Sequence, residues 1–311
     1  MEFKKYSRIY RLGHDETTGI FDVAEDEIVI QEKIDGGNTR FLINNGKVIV
    51  GSRTQKLTSD EGEDTNMNKN FTRCVNFVRD QLSQTDITPY NGLILYGENC
   101  VKHTMQYDWD KIPPFLGFDV YNVGLGEYLP YSEVVKIFSE LKLPMVPLVK
   151  IVKAKEIKEV NDDMVPVSVY APRANPKQKA EGVVFKNYRK QLFAKYVRDD
   201  FKEKNREQFG GNKKHADDDS EKIVFEYCPN PRIDKCIFKL VDEGHKLDMP
   251  MMRHLPEMVY TDMIEENWKE ILGRKNDITF NPRKVFKQIT KRCKNVLEQV
   301  ITNNALNEVT K

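Results

Sequence analysis

Between residues 27 and 53 the apolar and polar positions follow the short period of β-structure. Ile28 and Ile30 alternate with Val29 and Gln31, and the runs RFLI and KVIVGSR flank an Asn44-Asn45-Gly46 turn. This predicts consecutive strands closed by a hairpin. Further short β-rich runs stand at 92–98 (GLILYGE), 115–121 (FLGFDVY), 181–187 (EGVVFKN) and 191–197 (QLFAKYV). Between them SEVVKIFSELKL, 132–143, carries an apolar stripe at helical spacing, with Ser132 as cap candidate and Pro144 just beyond. The first two-thirds of the chain is therefore expected to mix strands and helices.

The period changes after residues 209–222, FGGNKKHADDDSEK, where paired glycines, a basic pair and three aspartates predict an exposed linker. Residues 232–243 read as a helix ending at Gly244, and 256–272 as a helix with Pro256 near its start and Gly273 after it. The last helix begins with Asn281 as N-cap and Pro282 at the first position. Its apolar residues Val285, Phe286, Ile289, Cys293, Val296, Leu297, Val300 and Ile301 recur at three and four. The expected fold class is α+β with a small all-helical C-terminal domain: one domain over 1–210, a linker over 211–222 and a helical domain over 223–311. No internal repeat of 20–50 residues is visible.

Composition narrows the partners. Charge is dense, 31% of residues, yet balanced at 49 basic and 48 acidic, so the global field implies no anionic partner and nucleic-acid binding must come from local patches. The five cysteines, Cys74, Cys100, Cys228, Cys236 and Cys293, are widely spaced and form no CxxC pair. That argues against a disulfide framework or a zinc site and fits a reducing compartment. No apolar run nears the roughly 18 residues needed to cross a bilayer, and MEFKKYSRIYRLG lacks the apolar stretch of a signal peptide. The chain is expected to be soluble, cytoplasmic and monomeric.

Candidate chemistry begins at VIQEKIDGGNTRF, 29–41, where Lys33 stands two places before Asp35 and a glycine pair. Alone, Lys33-Ile34-Asp35-Gly36 reads equally as a surface turn, since a K-x-D-G match arises by chance in about one chain in ten of this length. Further elements follow in order on predicted strands: GSRT at 51–54, LYGEN at 95–99, FDVY at 118–121, EGVVFK at 181–186 and FAKYV at 193–197.

As an ordered set these elements resemble the nucleotidyltransferase motifs of the covalent ligase and capping-enzyme superfamily, and among its members the ATP-dependent RNA ligases of the phage RNA ligase 2 type. The resemblance covers about residues 30–205. It implies an ATP-grasp-like adenylation domain of antiparallel sheets and helices. It also implies ATP, a divalent cation (Mg2+ or Mn2+), and RNA with 3′-OH and 5′-phosphate ends, a nicked duplex or broken hairpin, prepared where needed by a kinase or phosphatase. Lys33 would carry covalent AMP, with Glu32, Asp35, Gly36 and Asn38 around the nucleotide and Gly37 giving the backbone freedom to approach it. Arg53 would contact phosphate or ribose through its planar fork, and Glu98 would accept from a ribose hydroxyl. Phe118 would stack on adenine, though such a residue in FLGFDVY also reads as core. Glu181 would hold the cation, whose hard-oxygen preference suits a carboxylate. Lys195, or Lys186, would place positive charge at the α-phosphate and favour the neutral amine that attack requires.

Three features depart from the phage pattern. Asp35 stands where those enzymes have histidine. Val197 stands where a second lysine is usual, leaving Lys186, Arg198 or Lys202 as substitutes. RIDK at 232–235 looks like the terminal motif of DNA ligases and capping enzymes, but it continues at helical spacing and reads as a helix start. DNA ligases and guanylyltransferases, the nearest rivals, would follow the first domain with a barrel of short strands. A catalytically silent binding module is the rival without chemistry. Asp119 suits a metal-site or hydrogen-bonding role, Lys102 and His103 suit phosphate or plain exposure, and Asp217 to Asp219 suit a solvated linker. The run RKVFKQITKRCK, 283–294, has six basic residues and no acid, and reads equally as a solvated helix face or a contact to RNA phosphates.

Overall fold

The computed structural model describes residues 2–67, 69–101, 105–198, 219–272 and 280–309. The chain divides into two compact units, Met1–Arg198 and Asp199–Lys311.

The first unit is a mixed α and β structure built on two five-stranded sheets. One sheet has the order β1 (Tyr10–Arg11), β10 (Leu192–Val197), β9 (Gly182–Asn187), β2 (Glu27–Lys33), β8 (Leu148–Lys153). The other runs β4 (Lys47–Ser52), β3 (Gly37–Asn44), β5 (Leu93–Asn99), β6 (Phe115–Asn122), β7 (Glu127–Tyr128). Neighbouring strands are antiparallel except β1, which joins β10 in parallel. The β3–β4 hairpin turns through Asn45 and Gly46, both with positive φ (50° and 74°), the conformation a two-residue turn needs to match strand twist.

Both faces of the second sheet are buried, so its strands show apolar residues at successive positions. Phe41, Ile43, Val50, Leu95 and Val120 pack on α1 (Lys69–Leu82) and α2 (Tyr131–Glu140) through Phe71, Val75, Val78, Val134 and Phe138. On the opposite face Leu42, Ile49, Ile94 and Tyr96 meet Phe193 of the first sheet. The first sheet buries Ile28, Ile30, Val183, Phe185 and Ala194 on its far side with Ile20 and Ala154.

α2 begins at Tyr131 with Pro130 as its cap residue and no side-chain cap bond, so the cap stands two residues before the expected Ser132. Sequence patterning missed α1, although Phe71, Cys74, Val75, Val78 and Leu82 hold its buried stripe. Its charged residues obscure that period. It also missed β8, an edge strand with no fully buried residue, where half-exposure weakens alternation.

The second unit, described by itself, comprises α3 (Ser220–Tyr227), α4 (Asn230–Asp242), α5 (Leu255–Leu272) and α6 (Pro282–Val309). RIDK lies inside α4, as expected. Of the expected linker, 211–218 lie outside the described residues and α3 starts at Ser220. Asn281 caps α6 by accepting the Arg283 N–H at 2.9 Å. Val224, Ile237, Leu255, Val259, Ile289 and Cys293 belong to one hydrophobic core, whereas Phe286 stays 40% exposed against the Tyr260 ring. All five cysteines are free and buried. Among the described residues no helix is long and apolar enough to cross a membrane.

Asp234 in α4 has no hydrogen-bond or ion-pair partner among the described residues, and burial pushes its carboxyl up to about 6. An unfolded aspartate releases its proton near 3.9, so between about pH 4 and 6 the folded state binds more protons and its stability falls as pH rises. Asp234→Asn is therefore expected to raise the melting temperature at pH 7 by a few degrees and to leave it unchanged near pH 4. Thermal melts of both proteins across that range check the sign.

Candidate active site

Pairing of β2 with β9 and of β9 with β10 places Lys33, Gly182 and Val197 in one row across three strands. Opposed residues share a face, as do alternate residues along a strand. Gln31 and Lys33, Val184 and Lys186, and Phe193 and Lys195 therefore lie on one face of the first sheet. Glu32 lies on the other, 2% exposed. Its carboxylate accepts from Ser168 Oγ at 2.5 Å and the Val169 N–H at 3.2 Å. Burial raises the Glu32 pKa, and those two bonds oppose the rise.

Lys33 Nζ donates to a Glu181 carboxylate oxygen at 2.6 Å, joining two positions 148 residues apart. The two side chains are 17% and 9% exposed. Glycine must follow Glu181, because a Cβ at 182 would lie 1.9 Å from the Tyr196 carbonyl oxygen. Lys195 sits in the neighbouring row, opposite Val184, while its carbonyl accepts the Leu12 N–H at 2.9 Å. Val197 occupies the row of Lys33 itself, so the position where a second lysine was expected falls in line with Lys33. The Arg198 N–H donates to the Glu181 carbonyl at 3.1 Å, whereas Lys202 lies outside the described residues.

The loop after β2 carries Asp35, which is 6% exposed and accepts the Met105 N–H at 2.7 Å, while its own N–H donates to the Tyr107 hydroxyl at 2.8 Å. At Gly36 a Cβ would stand 2.5 Å from the Asn99 carbonyl oxygen and 2.8 Å from Glu98 Cγ. Close approach, rather than a special φ, demands glycine there, and it lets the Glu98 side chain lie against the lysine loop. Gly37 is an ordinary strand residue paired with Asn99. Asn38 directly opposes Glu98, and its buried Oδ1 has no hydrogen-bond partner among the described residues. Arg53 follows Ser52, which pairs with Thr39, and is exposed.

Phe118 occupies a β-bulge. Tyr96 pairs with Asp119 and Gly97 with Gly117, leaving Phe118 as the extra residue, a device that re-aims a side chain. The Tyr6 ring meets it edge-on at 4.9 Å. Lys186 donates to the Phe118 carbonyl at 2.8 Å and to Asp119 at 2.7 Å, with Nζ 5.2 Å from the Phe118 ring centre. Asp119 is fully buried and also accepts the hydroxyls of Tyr6 at 2.5 Å and Tyr188 at 2.6 Å. Burial lowers the Lys186 pKa and the Asp119 charge opposes that shift. Asp119 thus takes a hydrogen-bonding role.

Sequence reasoning missed Tyr6 and Tyr188, since nothing local marks a tyrosine as the partner of a carboxylate more than sixty residues away. It also took Arg40 only as the start of the hairpin strand. That residue is 3% exposed, on the same strand face as Asn38, with its guanidinium 4.4 Å from the Phe3 ring centre. Lys102 and His103 lie outside the described residues, as do Asp217 and Asp218.

The donors fit some ions better than others. Among the described residues no three His, Cys, Asp or Glu side chains gather into a cage. Glu181 fits an ion of the magnesium kind, held by one or two carboxylates and by phosphate oxygens of a substrate. The orphaned Asn38 oxygen would be satisfied by a ligand hydroxyl.

The family model described as RNA ligase matches residues 26–198, more than half of the chain. No curated protein matches the sequence. Among solved structures the chain resembles Naegleria gruberi RNA ligase. An apo form has 18% identity over 66% of this chain and 58% of that one, at a TM-score of 0.48. A form with AMP and Mn has 20% identity over 65% and 57%, at 0.47, and one with PPi has 18% over 66% and 58%, at 0.46. The chain therefore spans less than two-thirds of that protein's length.

Proposed function

The chain belongs to the RNA ligase family, and from that premise we propose that it joins RNA 3′-OH and 5′-phosphate ends at the expense of ATP, with Lys33 as the covalent nucleotide carrier. The observation that carries the reading is the contact of Lys33 with Glu181, which brings the expected nucleophile against the expected cation ligand from opposite ends of the matched region.

Lys33 Nζ attacks the α-phosphorus of ATP. A P–N bond forms, the bond to the β-phosphate oxygen breaks and pyrophosphate leaves, while the amine gives up a proton. An oxygen of the RNA 5′-phosphate then attacks the same phosphorus and expels Lys33, leaving a 5′-to-5′ pyrophosphate. Finally the 3′-OH attacks the RNA phosphorus of that linkage and AMP departs. Lys195, on the face of Lys33 and one row away, supplies positive charge at the α-phosphate. A divalent cation at Glu181, when bound, neutralises further phosphate charge. Lys186 acts at one remove, because its ammonium is committed to Asp119 and the Phe118 carbonyl and so fixes the ring on which adenine stacks. Catalysis of this kind rests on positioning and charge neutralisation.

The chemistry confines the substrate to ends bearing a 3′-OH and a 5′-phosphate, so other breaks need a kinase or phosphatase first. A nicked duplex or broken hairpin is the favoured form, with repair as the role, and the helical unit is taken as a separate domain. Incubation with α-labelled ATP and magnesium is expected to leave acid-labile AMP on the protein, with little label from GTP. Sealing is then compared on matched nicked-duplex and single-stranded RNA. No protein-bound AMP would defeat the reading, label from GTP would favour cap formation, and joining of single strands alone would exclude nick sealing.

A further inference from the structure

The chain's near-neutral balance hides opposed patches within the helical unit. α5 carries five acids, Glu257, Asp262, Glu265, Glu266 and Glu270, and one base, Lys269, whereas residues 282–297 of α6 carry six bases and no acid. On a helix turning 100° per residue, Arg283, Lys284, Lys287, Lys291 and Lys294 fall within one arc of about 100°. All five are exposed, on the side away from the buried Val285, Ile289, Cys293 and Leu297. The stripe runs about 16 Å along the axis at 1.5 Å per residue.

A merely solvated face does not account for this arrangement. Arg283 and Lys284 stand in the first turn, which holds no acid, and there cations oppose the helix dipole. Solubility is served by interspersed signs, which also support a helix through pairs four apart. At its far end Lys294 lies 3.8 Å from Glu298, and beside it Glu221 accepts from Gln288 Nε2 at 3.0 Å. Lys287 and Lys291, in the middle, have no ion-pair partner among the described residues. A row of like charges kept together at the cost of helix stability fits a ligand with a row of opposite charges.

We propose that the α6 stripe of Arg283, Lys284, Lys287, Lys291 and Lys294 is a docking surface for the sugar-phosphate backbone of the RNA to be sealed. The inference rests on the ligase reading for its choice of polyanion. It assigns the helical unit a part the family match does not reach: holding RNA by charge, without reading bases, while the first unit performs the nucleotide chemistry. Duplex RNA offers such a surface, since it is recognised through phosphates and 2′-hydroxyls.

The test uses the full chain and a 5′-phosphorylated nicked RNA duplex, with binding followed by fluorescence anisotropy in EDTA between 50 and 200 mM KCl. Lys287→Glu/Lys291→Glu is expected to bind roughly tenfold more weakly at the lower salt. Its slope of log affinity against log salt should be shallower by about 1.8, at 0.9 per lost phosphate contact. The rate of AMP loading from ATP without RNA should stay at the parent value. Lys136→Glu/Lys142→Glu, the same charge change on exposed positions of the first unit, should stay within about twofold of the parent. Lys287→Arg/Lys291→Arg should bind as the parent does. Parent-like affinity and slope in the Glu pair, an equal loss in the control pair, or loss in the Arg pair would each overturn the proposal. A parent protein that loads no AMP would defeat the ligase reading instead, whatever the salt slope.

Discussion

Lys33→Ala is expected to abolish covalent loading, to below about one ten-thousandth of the parent rate, because the amine that forms the P–N bond is gone and loss of a nucleophile typically costs that much or more. Denaturing gels run at alkaline pH after incubation with α-labelled ATP and magnesium read this directly. The variant should fold and still bind nucleotide. Lys33 stands at a strand end, and its removal takes one cation from the Glu181 carboxylate, which is 9% exposed. Chemically prepared RNA with a 5′-adenylylated end should restore sealing in the Lys33→Ala protein, since the final step does not pass through the lysine. A variant that retained AMP loading would remove Lys33 from the chemistry. One that sealed neither substrate would place an additional duty of Lys33 in the last step.

The second large effect is expected at Asp119. Its carboxylate is the shared acceptor of Lys186, Tyr6 and Tyr188, at the junction of β6, β9 and the N-terminal segment. Asp119→Ala leaves an ammonium 2% exposed and two phenols without their acceptor. Breaking one side of a buried ion pair costs about 3–5 kcal/mol, which for a unit of this size lowers Tm by about ten degrees. AMP loading should fall as well, because Lys186 is released from the Phe118 carbonyl it positions. Asp119→Leu/Lys186→Met removes both charges and is expected to recover most of the lost Tm, as hydrophobic replacement of a buried pair usually does, without recovering AMP loading. Calorimetry with the labelling assay separates the two effects. A single variant melting within about two degrees of the parent would show that the network carries little of the stability.

Much of the candidate site was legible because each of its motifs is local in sequence. The lysine motif, Glu98 beside Gly97, and Glu181 before Gly182 each stand at a strand end. The reason for glycine at 36 and 182 is space: a neighbouring carbonyl fills the place of the missing Cβ. Less legible were residues whose contacts are with partners distant in sequence. Gly37 was expected to let the backbone approach the nucleotide, and the close packing against Asn99 and Glu98 falls at Gly36. Lys186 was grouped with direct phosphate contacts, although its ammonium is held by Asp119 and the Phe118 carbonyl.

Alternation with period two told which segments are strands, and recurrence at three and four told which are helices, because both follow from the direction of each side chain on its own backbone. Order of motifs and residue type pointed to covalent nucleotide chemistry. Those conclusions belong to the sequence. Tertiary structure alone decided which face of the sheet Glu32 takes and which Lys33 takes, and that Lys33 meets Glu181. It also decided that a bulge frees Phe118 from the ladder and that Asp119 binds three partners. Each of these depends on strand register across long separations, where a shift of a single residue would exchange the two faces, and no local pattern records that register.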